Sequence, residues 1–277
     1  MAGSGGIEES TLDVDGVRTF VRRVGGTGVP TVFVHGHPTH SEDWVRFLEH
    51  IDGPAVALDL PGWGRSQRPP DFDYSMHGLA AFFGRFLDRA EIGPYRLVLH
   101  DWGGLALIAA QAEPSHVRRL VVINAVPLSA DYRWHWVARL WRRRGVGELI
   151  NLTSTRPAAN LLLRQSSGDR RPMPQGFVDS IWRYRQRGTG RPALALYRSA
   201  DPGRLAQAGE GLGEMNCPAL VVWGQRDPYL GPEEGRAYAR RLANAELLEV
   251  AEAGHWPWID RPEVVDQVTA FLARDAG

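Results

Sequence analysis

The chain has 277 residues, of which 43% are apolar, and its 32 basic residues balance 32 acidic residues, so its formal net charge is zero. This length and composition can bury the core of one large α/β domain, or of two domains at most. The neutral balance argues against a nucleic-acid or polyanion binder, because such binding needs a cationic face. The single cysteine, Cys217, excludes an internal disulfide framework.

The sequence also gives an expectation for the compartment of the protein. The chain has no run of about 20 apolar residues that could cross a bilayer, and the polar, uncharged start at 1–6 does not resemble a signal peptide. We therefore expect a cytoplasmic protein without membrane or nucleic-acid partners. The histidines form no metal-ligand spacing with carboxylates or Cys217, so we expect neither metal nor cofactor. The sequence leaves the oligomeric state open.

In chain order, the first predicted element is a hairpin over 11–24, where apolar and polar residues alternate and the chain turns at Asp15-Gly16. Short apolar runs then predict strands that are buried on both faces. These strands lie at 31–34, 55–60, 96–100, 119–123, 219–223 and 246–250. Helical patterns at 75–90, 104–112, 232–243 and 261–274 separate most of them. The alternation predicts an α/β fold with a mostly parallel, eight-stranded sheet and helices on both faces.

The alternation stops between 127 and 212, where the chain is rich in arginine and tryptophan and has no good strand. Ligands bind at the carboxyl edge of open α/β sheets. We therefore predict that 127–212 forms a helical cap domain over that edge, inserted into a core domain of 1–126 and 213–277.

The predicted strand at 96–100 ends abruptly at His100-Asp101-Trp102-Gly103-Gly104, and a helical pattern follows. A strand, a sharp turn and a helix form the setting that presents a catalytic nucleophile, and here the residue in that position is Asp101. A carboxylate displaces a leaving group at an sp³ carbon and becomes an alkyl ester. The expected substrates are therefore epoxides or carbon–halogen compounds instead of esters and amides.

A second turn, His35-Gly36-His37-Pro38, follows the strand at 31–34. Gly36 lets the backbone come close to a ligand, and Pro38 is a candidate for a cis peptide. The backbone N–H groups of His37 and Trp102 then converge, as an oxyanion hole requires.

Two further turns follow the last strands and contribute Asp227 and His255. His255 can act as general base near neutral pH and activate the water that hydrolyses the ester on Asp101. Asp227 would hold the imidazole tautomer and stabilise its positive form. The chain order of nucleophile, acid and histidine is the triad order of α/β-hydrolases.

Together these motifs resemble the epoxide hydrolase and haloalkane dehalogenase branch of the α/β-hydrolase superfamily. The resemblance covers nearly the whole chain. It rests on HGHP at 35–38, DLPGWGRS at 59–66, HDWGG at 100–104, GQRDPY at 224–229 and AGHWPW at 253–258.

The two activities of this branch imply different cap residues. An epoxide hydrolase needs two acids that protonate the epoxide oxygen. Tyr197, within Leu196-Tyr197-Arg198, resembles the second of them, and His135 or Tyr132 is the candidate for the first. A dehalogenase needs two N–H donors for the departing halide. Trp102 resembles the first donor. The second is an Asn in one subgroup, where this chain has His37, and a cap tryptophan in another, for which the candidates are Trp134, Trp136 and Trp141.

From the sequence we predict a hydrolase that opens the epoxide of a small apolar substrate through an ester on Asp101. Trp136, Trp256, Trp258 and Pro38 are predicted to line an apolar pocket. Two alternatives stay open. One is a haloalkane dehalogenase with the same triad, and the other is a relative that binds a small ligand without turnover.

Overall fold

The structure, a computed structural model, describes residues 6–274. The start of the chain at 1–5, which carries the prediction about a signal peptide, lies outside this range. Eight strands form one sheet in the order β1-β2-β4-β3-β5-β6-β7-β8. They are β1 (Glu8–Val14), β2 (Val17–Val24), β3 (Thr31–Val34), β4 (Ala55–Leu58), β5 (Tyr95–Asp101), β6 (Val117–Ala125), β7 (Ala219–Gly224) and β8 (Ala245–Val250).

The sheet has the predicted, mostly parallel arrangement. β1 pairs with β2 and β2 with β4 in antiparallel fashion, and the other five strand pairs are parallel. The β1–β2 hairpin turns where the sequence predicts it. Asp15 and Gly16 have positive φ angles of 51° and 82°, as a two-residue turn between twisted strands requires.

Helices connect the strands and cover both faces of the sheet. Within the described range the α-helices are α1 (Val45–His50), α2 (Met76–Arg89), α3 (Ala106–Ala110), α4 (Trp136–Arg142), α5 (Val146–Thr153), α6 (Arg156–Gln165), α7 (Gln175–Tyr184), α8 (Gly190–Ser199), α9 (Pro202–Ala208), α10 (Pro232–Arg241), α11 (Pro257–Asp260) and α12 (Glu263–Ala273). The sequence did not predict α1, because six residues are too few to show a helical period. No helix between residues 6 and 274 is long and apolar enough to cross a membrane.

The core consists of two apolar layers, one on each face of the sheet. Side chains alternate along each strand, so that in β5 Leu97 and Leu99 pack in one layer and Val98 in the other. The first layer contains the buried faces of α2 and α3, and the second contains those of α1 and α12. Burial on both faces explains why β3, β4 and β7 are apolar runs without alternation. The same prediction is wrong for β8, which lies at the sheet edge with Glu246, Leu247 and Glu249 exposed.

The segment 127–212, which we call the insertion, connects β6 to the part of the chain before β7. As far as the structure describes it, it is helical, with α4 to α9 and one π-helical turn at Arg185–Thr189, and it contributes no strand to the sheet.

Candidate active site

A strained turn at the end of β5 positions Asp101. The residue has φ 48° and ψ −121°, a conformation that costs an L-residue energy and persists only where the surroundings enforce it. The chain continues at once into a 3₁₀ turn at Trp102–Leu105 and then into α3. A Cβ atom on Gly103 would lie 2.2 Å from the Val34 carbonyl oxygen, so the turn passes directly against the end of β3. This geometry presents the Asp101 carboxylate at the carboxyl edge of the sheet.

Two backbone N–H groups face the carboxylate of Asp101. That of His37 donates to Oδ2 at 2.8 Å, and that of Trp102 lies near enough to favour the ionised carboxylate. Gly36 makes this approach possible, because a Cβ atom there would lie 2.4 Å from the Asp101 Cβ. The peptide between His37 and Pro38 is cis. Burial raises the pKa of Asp101 to about 6, although the charge of His255 and the two N–H groups favour the ionised form.

His255 lies between the two carboxylates. Its Nδ1–H donates to Asp227 Oδ2 at 2.7 Å, and its Nε2 is 3.9 Å from Asp101 Oδ1. The second distance is too long for a hydrogen bond. Burial by itself lowers the pKa of His255, but the charge of Asp227, its hydrogen bond to Nδ1 and the charge of Asp101 together raise it. The imidazole therefore has a fixed orientation, with Nε2 facing the Asp101 side.

Each carboxylate oxygen of Asp227 accepts two hydrogen bonds. Oδ1 accepts from the backbone N–H groups of Tyr229 at 2.8 Å and Leu230 at 3.1 Å, and Oδ2 accepts from Asn124 Nδ2 at 2.7 Å as well as from His255. Asn124, at the end of β6, also accepts from the Gly224 N–H. Asn124 was not predicted from the sequence. Its signal was a polar residue at the carboxyl end of an otherwise apolar strand.

The backbone of His255 is fixed as well. Its N–H donates to the Ser166 carbonyl, and its own carbonyl accepts from His100 Nε2, both at 2.8 Å. Burial holds the pKa of His100 well below its usual range, so this imidazole is neutral and acts only as a donor. The sequence places His100 next to Asp101, but it does not show that His100 bonds the backbone carbonyl of His255.

A third carboxyl group, that of Asp43, lies close to His255 and was not predicted from the sequence. Asp43 is buried in the 3₁₀ turn before α1, and within residues 6–274 its Oδ2 has no hydrogen-bond partner. Burial raises the pKa of Asp43 to about 8, although the Thr39 hydroxyl, the charge of His255 and the Trp256 indole favour the ionised form. The group is therefore protonated at neutral pH.

A cavity of about 180 Å³ lies against the triad. Most of its wall is apolar and comes from the insertion. Its lining includes Asp101 and His255, and the predicted residues His37, Pro38, His135, Tyr197 and Trp256. It also includes Tyr132, Trp134 and Trp141, which were candidate leaving-group donors, and the residues Ala158, Leu162, Ile181, Arg185 and Tyr229, which were not predicted.

Two of the tryptophans that were predicted to line the pocket do not. Trp136 is 59% exposed at the first position of α4, because the helix turns Ala138 inward in its place. Trp258 is buried in the core, where its ring stacks on Trp44 at 5.4 Å and contacts Phe47. The short helix α11 directs Trp258 away from the cavity that Trp256 lines.

The three tryptophans of the insertion that were candidate halide donors have different surroundings. Trp134 Nε1 donates to the Ala200 carbonyl at 3.1 Å, and Trp136 faces solvent. Trp141 lines the cavity, and its buried Nε1 has no partner in the described part of the chain. The buried Nε1 of Trp102 also has no partner among the described residues. Two further buried indoles in the described range lack a partner, but Trp44 lies in the core and the Trp256 indole is directed to Asp43. Trp141 and Trp102 are therefore the candidate halide donors with free N–H groups.

Both of these rings pack edge-on against Tyr197, with centroid distances of 5.4 Å for Trp141 and 4.9 Å for Trp102. Burial, to which the charge of Asp101 adds, raises the pKa of Tyr197 well above its usual value. The Trp102 N–H is near enough to the Tyr197 hydroxyl to oppose this rise, but not in the geometry of a hydrogen bond. Tyr132 is buried too, and its hydroxyl has no partner within 6–274.

Two of the three histidines that line the cavity, His37 and His135, are neutral. Trp63 Nε1–H donates to His37 Nδ1 at 3.2 Å, so that His37 carries its proton on Nε2. Burial, with the charge of Arg185, lowers the pKa of His37 to about 3. Burial also lowers the pKa of His135 to about 4, and its Nδ1 caps α4 by accepting from the Ala138 N–H.

The fold and the site together define an α/β-hydrolase, and the comparisons with known proteins agree. A family model for the alpha/beta hydrolase fold matches residues 29–262. A haloalkane dehalogenase from Mycolicibacterium paratuberculosis is 30% identical over 74% of this chain and 69% of its own length. One from Mesorhizobium japonicum is 26% identical over 93% of this chain and 88% of its own.

Among solved structures, the fold is similar to that of haloalkane dehalogenase DbeA from Bradyrhizobium elkani USDA94. The TM-score is 0.83 at 24% identity, over 97% of this chain and 98% of that one. The chain belongs to the α/β-hydrolase superfamily, in the branch that contains the haloalkane dehalogenases, and is a hydrolase of that type.

Proposed function

We propose that this enzyme hydrolyses a carbon–halogen bond in a small apolar molecule, through an ester on Asp101. The observation that carries the choice of leaving group is the pair of buried, unpartnered indole N–H groups of Trp102 and Trp141, whose rings both pack against Tyr197. Buried donors without partners are costly and need an explanation, and a departing halide would be their acceptor. The names of the two relatives support the same reaction.

In the first step Asp101 Oδ1 attacks, because Oδ2 already accepts the backbone N–H of His37. A bond forms between Oδ1 and the substrate carbon while the carbon–halogen bond breaks, and the halide leaves with the bonding electrons. Trp102 and Trp141 donate to the halide, and the Nε2–H of His37 is a third neutral donor in the cavity wall.

In the second step His255 Nε2 takes a proton from water as the water oxygen attacks Cγ of the ester. The negative charge that develops on Oδ2 is stabilised by the N–H groups of His37 and Trp102. Collapse of this intermediate breaks the Cγ–Oδ1 bond, and the alcohol leaves with the proton from His255. Asp227 stabilises the imidazolium between these events.

We also propose that the insertion acts as a cap domain over the core formed by 1–126 and 213–277. It supplies most of the apolar cavity wall, including Trp141, Leu162 and Ile181. An apolar lid excludes water during the attack of Asp101, which strengthens the electrostatic interactions in the site.

The ester is tested by a single turnover in ¹⁸O-labelled water. Because water attacks Cγ, the label should enter Asp101, while the first alcohol product carries an unlabelled oxygen. In His255→Gln the ester should persist, so that about one equivalent of bromide is released from a short bromoalkane and the protein mass increases by the alkyl group. Label in the product alone, with no adduct in the variant, would refute the ester.

Epoxide opening is the second candidate, because Tyr197 and Tyr132 both face the Asp101 end of the cavity. A phenol can donate its proton to an epoxide oxygen as charge develops there. Two matched variants separate the leaving groups. Trp141→Phe should slow bromide release about tenfold or more and spare diol formation, whereas Tyr197→Phe should do the reverse. Wild-type enzyme that forms diol but releases no bromide would establish the second candidate.

A further inference from the structure

The charge of this neutral chain is divided unevenly. The insertion, 127–212, contains 15 arginines and six acidic residues, a formal charge of +9, so the remaining residues carry −9. Because the insertion contributes most of the cavity wall, a ligand that enters crosses a cationic part of the molecule. Such a field raises the local concentration of anions.

One of these arginines, Arg185, reaches the cavity itself. It begins the π-helical turn that follows α7, and it lines the same cavity as Asp101. Its Nη2 donates to the Asn151 carbonyl at 2.6 Å, and its guanidinium lies over the Trp182 ring at 5.5 Å. These two contacts fix the side chain at the inner wall.

Arg185 has no anionic partner. Within 6–274 it makes no ion pair, and the bond to Asn151 uses one of its five N–H donors. Burial lowers the pKa of Arg185, with no carboxylate to oppose the effect. By contrast, Arg198 on α8 is paired with Glu148 at 2.7 Å. Arg185 is partly buried, so its charge loses part of its hydration without gaining a counterion, and a ligand that supplied the counterion would offset this loss.

We propose that Arg185 binds an anionic group of the substrate, so that the enzyme acts on organic molecules with a carboxylate at one end and the leaving group at the other. This substrate class rests on the proposed function. The carboxylate accepts hydrogen bonds from the free donors of Arg185, and the apolar chain lies along the cavity wall. The far end of the substrate then meets Asp101.

Binding tests the site without any reaction. The probes are hexanoate and hexanamide, which have the same chain and differ in charge. By calorimetry, wild-type enzyme should bind hexanoate about tenfold or more tightly than hexanamide. Arg185→Gln should lose this difference and keep its affinity for hexanamide, which shows that the cavity is intact. Arg183→Gln removes the same charge from an exposed position on α7, and this variant should still bind hexanoate more tightly than hexanamide.

Equal binding of the two probes by wild-type enzyme, or a hexanoate preference that survives Arg185→Gln, would overturn the proposal. Bromide release from ω-bromohexanoate and ω-bromohexanamide then tests the reaction separately. If neither compound loses bromide while the binding preference stands, the proposed function fails and the anion site holds. If both compounds lose bromide and the binding preference is absent, the proposed function holds and the anion site fails.

Discussion

The two oxygens of Asp101 have different surroundings, and this difference assigns their roles. Oδ2 accepts the His37 N–H at 2.8 Å, whereas Oδ1 faces His255 Nε2 at 3.9 Å. The sequence could predict that Asp101, Asp227 and His255 lie close together, because each follows a strand and the carboxyl ends of parallel strands share one edge. Asn124 ends an apolar strand and so had a signal, but its bond to Asp227 joins distant parts of the chain. Nothing in the sequence shows that Asp43 is buried beside His255. The sequence also could not predict which way Trp136 and Trp258 point, since that depends on where a short helix begins.

The buried carboxyl of Asp101 should set the acid limit of the first step. Its pKa is raised to about 6, and only the ionised form is a nucleophile. The rate of bromide release in a single turnover should therefore fall about tenfold per pH unit below pH 6 and level off above it. Stopped-flow measurement of the released bromide gives this profile.

Circular dichroism over the same pH range serves as the control for unfolding. A profile that is flat down to pH 4 in folded enzyme would contradict the environment assigned to Asp101. The ester step should differ, because Asp101 loses its negative charge once it is alkylated. One of the groups that raise the pKa of His255 is then absent, so the histidine is more easily neutral when it must accept a proton.

The elements that build the site are a loop after β3 and a strained turn after β5, pressed together at Gly36. The central strands were predictable within a few residues because burial on both faces makes them continuous apolar runs, whereas β1 and β8 at the edges are largely exposed. The helix limits in the insertion were not predictable, because the packing of α4 to α9 on one another sets their register. The π-helical turn that places Arg185 has no sequence signal of its own.

Gly36→Ala should therefore damage the site more than the fold. The new Cβ would meet Asp101 Cβ at 2.4 Å and the Trp102 backbone nitrogen at 2.7 Å, so the N–H groups must move away from Oδ2. Loss of an oxyanion donor costs about 10²–10³ in kcat, and steady-state kinetics measures it.

The matched control is Gly84→Ala on α2, where the added Cβ meets only the Ala109 methyl at 4.0 Å. It should keep full activity and gain up to about 1 kcal/mol in unfolding free energy, as denaturant titration would show. Equal losses in the two variants would mean that crowding at Gly36 has no special effect.

At the scale of the whole molecule, the insertion and the rest of the chain carry opposite charges of equal size. The total charge of zero hides this division, so composition alone excluded a polyanion binder but could not reveal a local cationic region. The fold class follows from the order of strands and helices along the chain. The substrate depends instead on which charged side chains reach the cavity.

This division predicts a salt effect that depends on the charge of the substrate. Raising the salt concentration should lower kcat/KM for ω-bromohexanoate, because screening weakens the attraction of an anion to the insertion. The value for ω-bromohexanamide should change little, and this neutral compound is the internal control. Parallel salt dependence of the two compounds would show that the field of the insertion does not guide the substrate.

Because of Asp43, the stability of the protein and its activity should change in opposite directions with pH. In the folded protein this carboxyl keeps its proton up to about pH 8, whereas in an unfolded chain it releases the proton near pH 4. The unfolded state is therefore favoured progressively as pH rises between these values, the same interval in which Asp101 becomes reactive. The conditions that make the enzyme fastest should shorten its working life, and heat-inactivation rates across this interval would reveal the compromise.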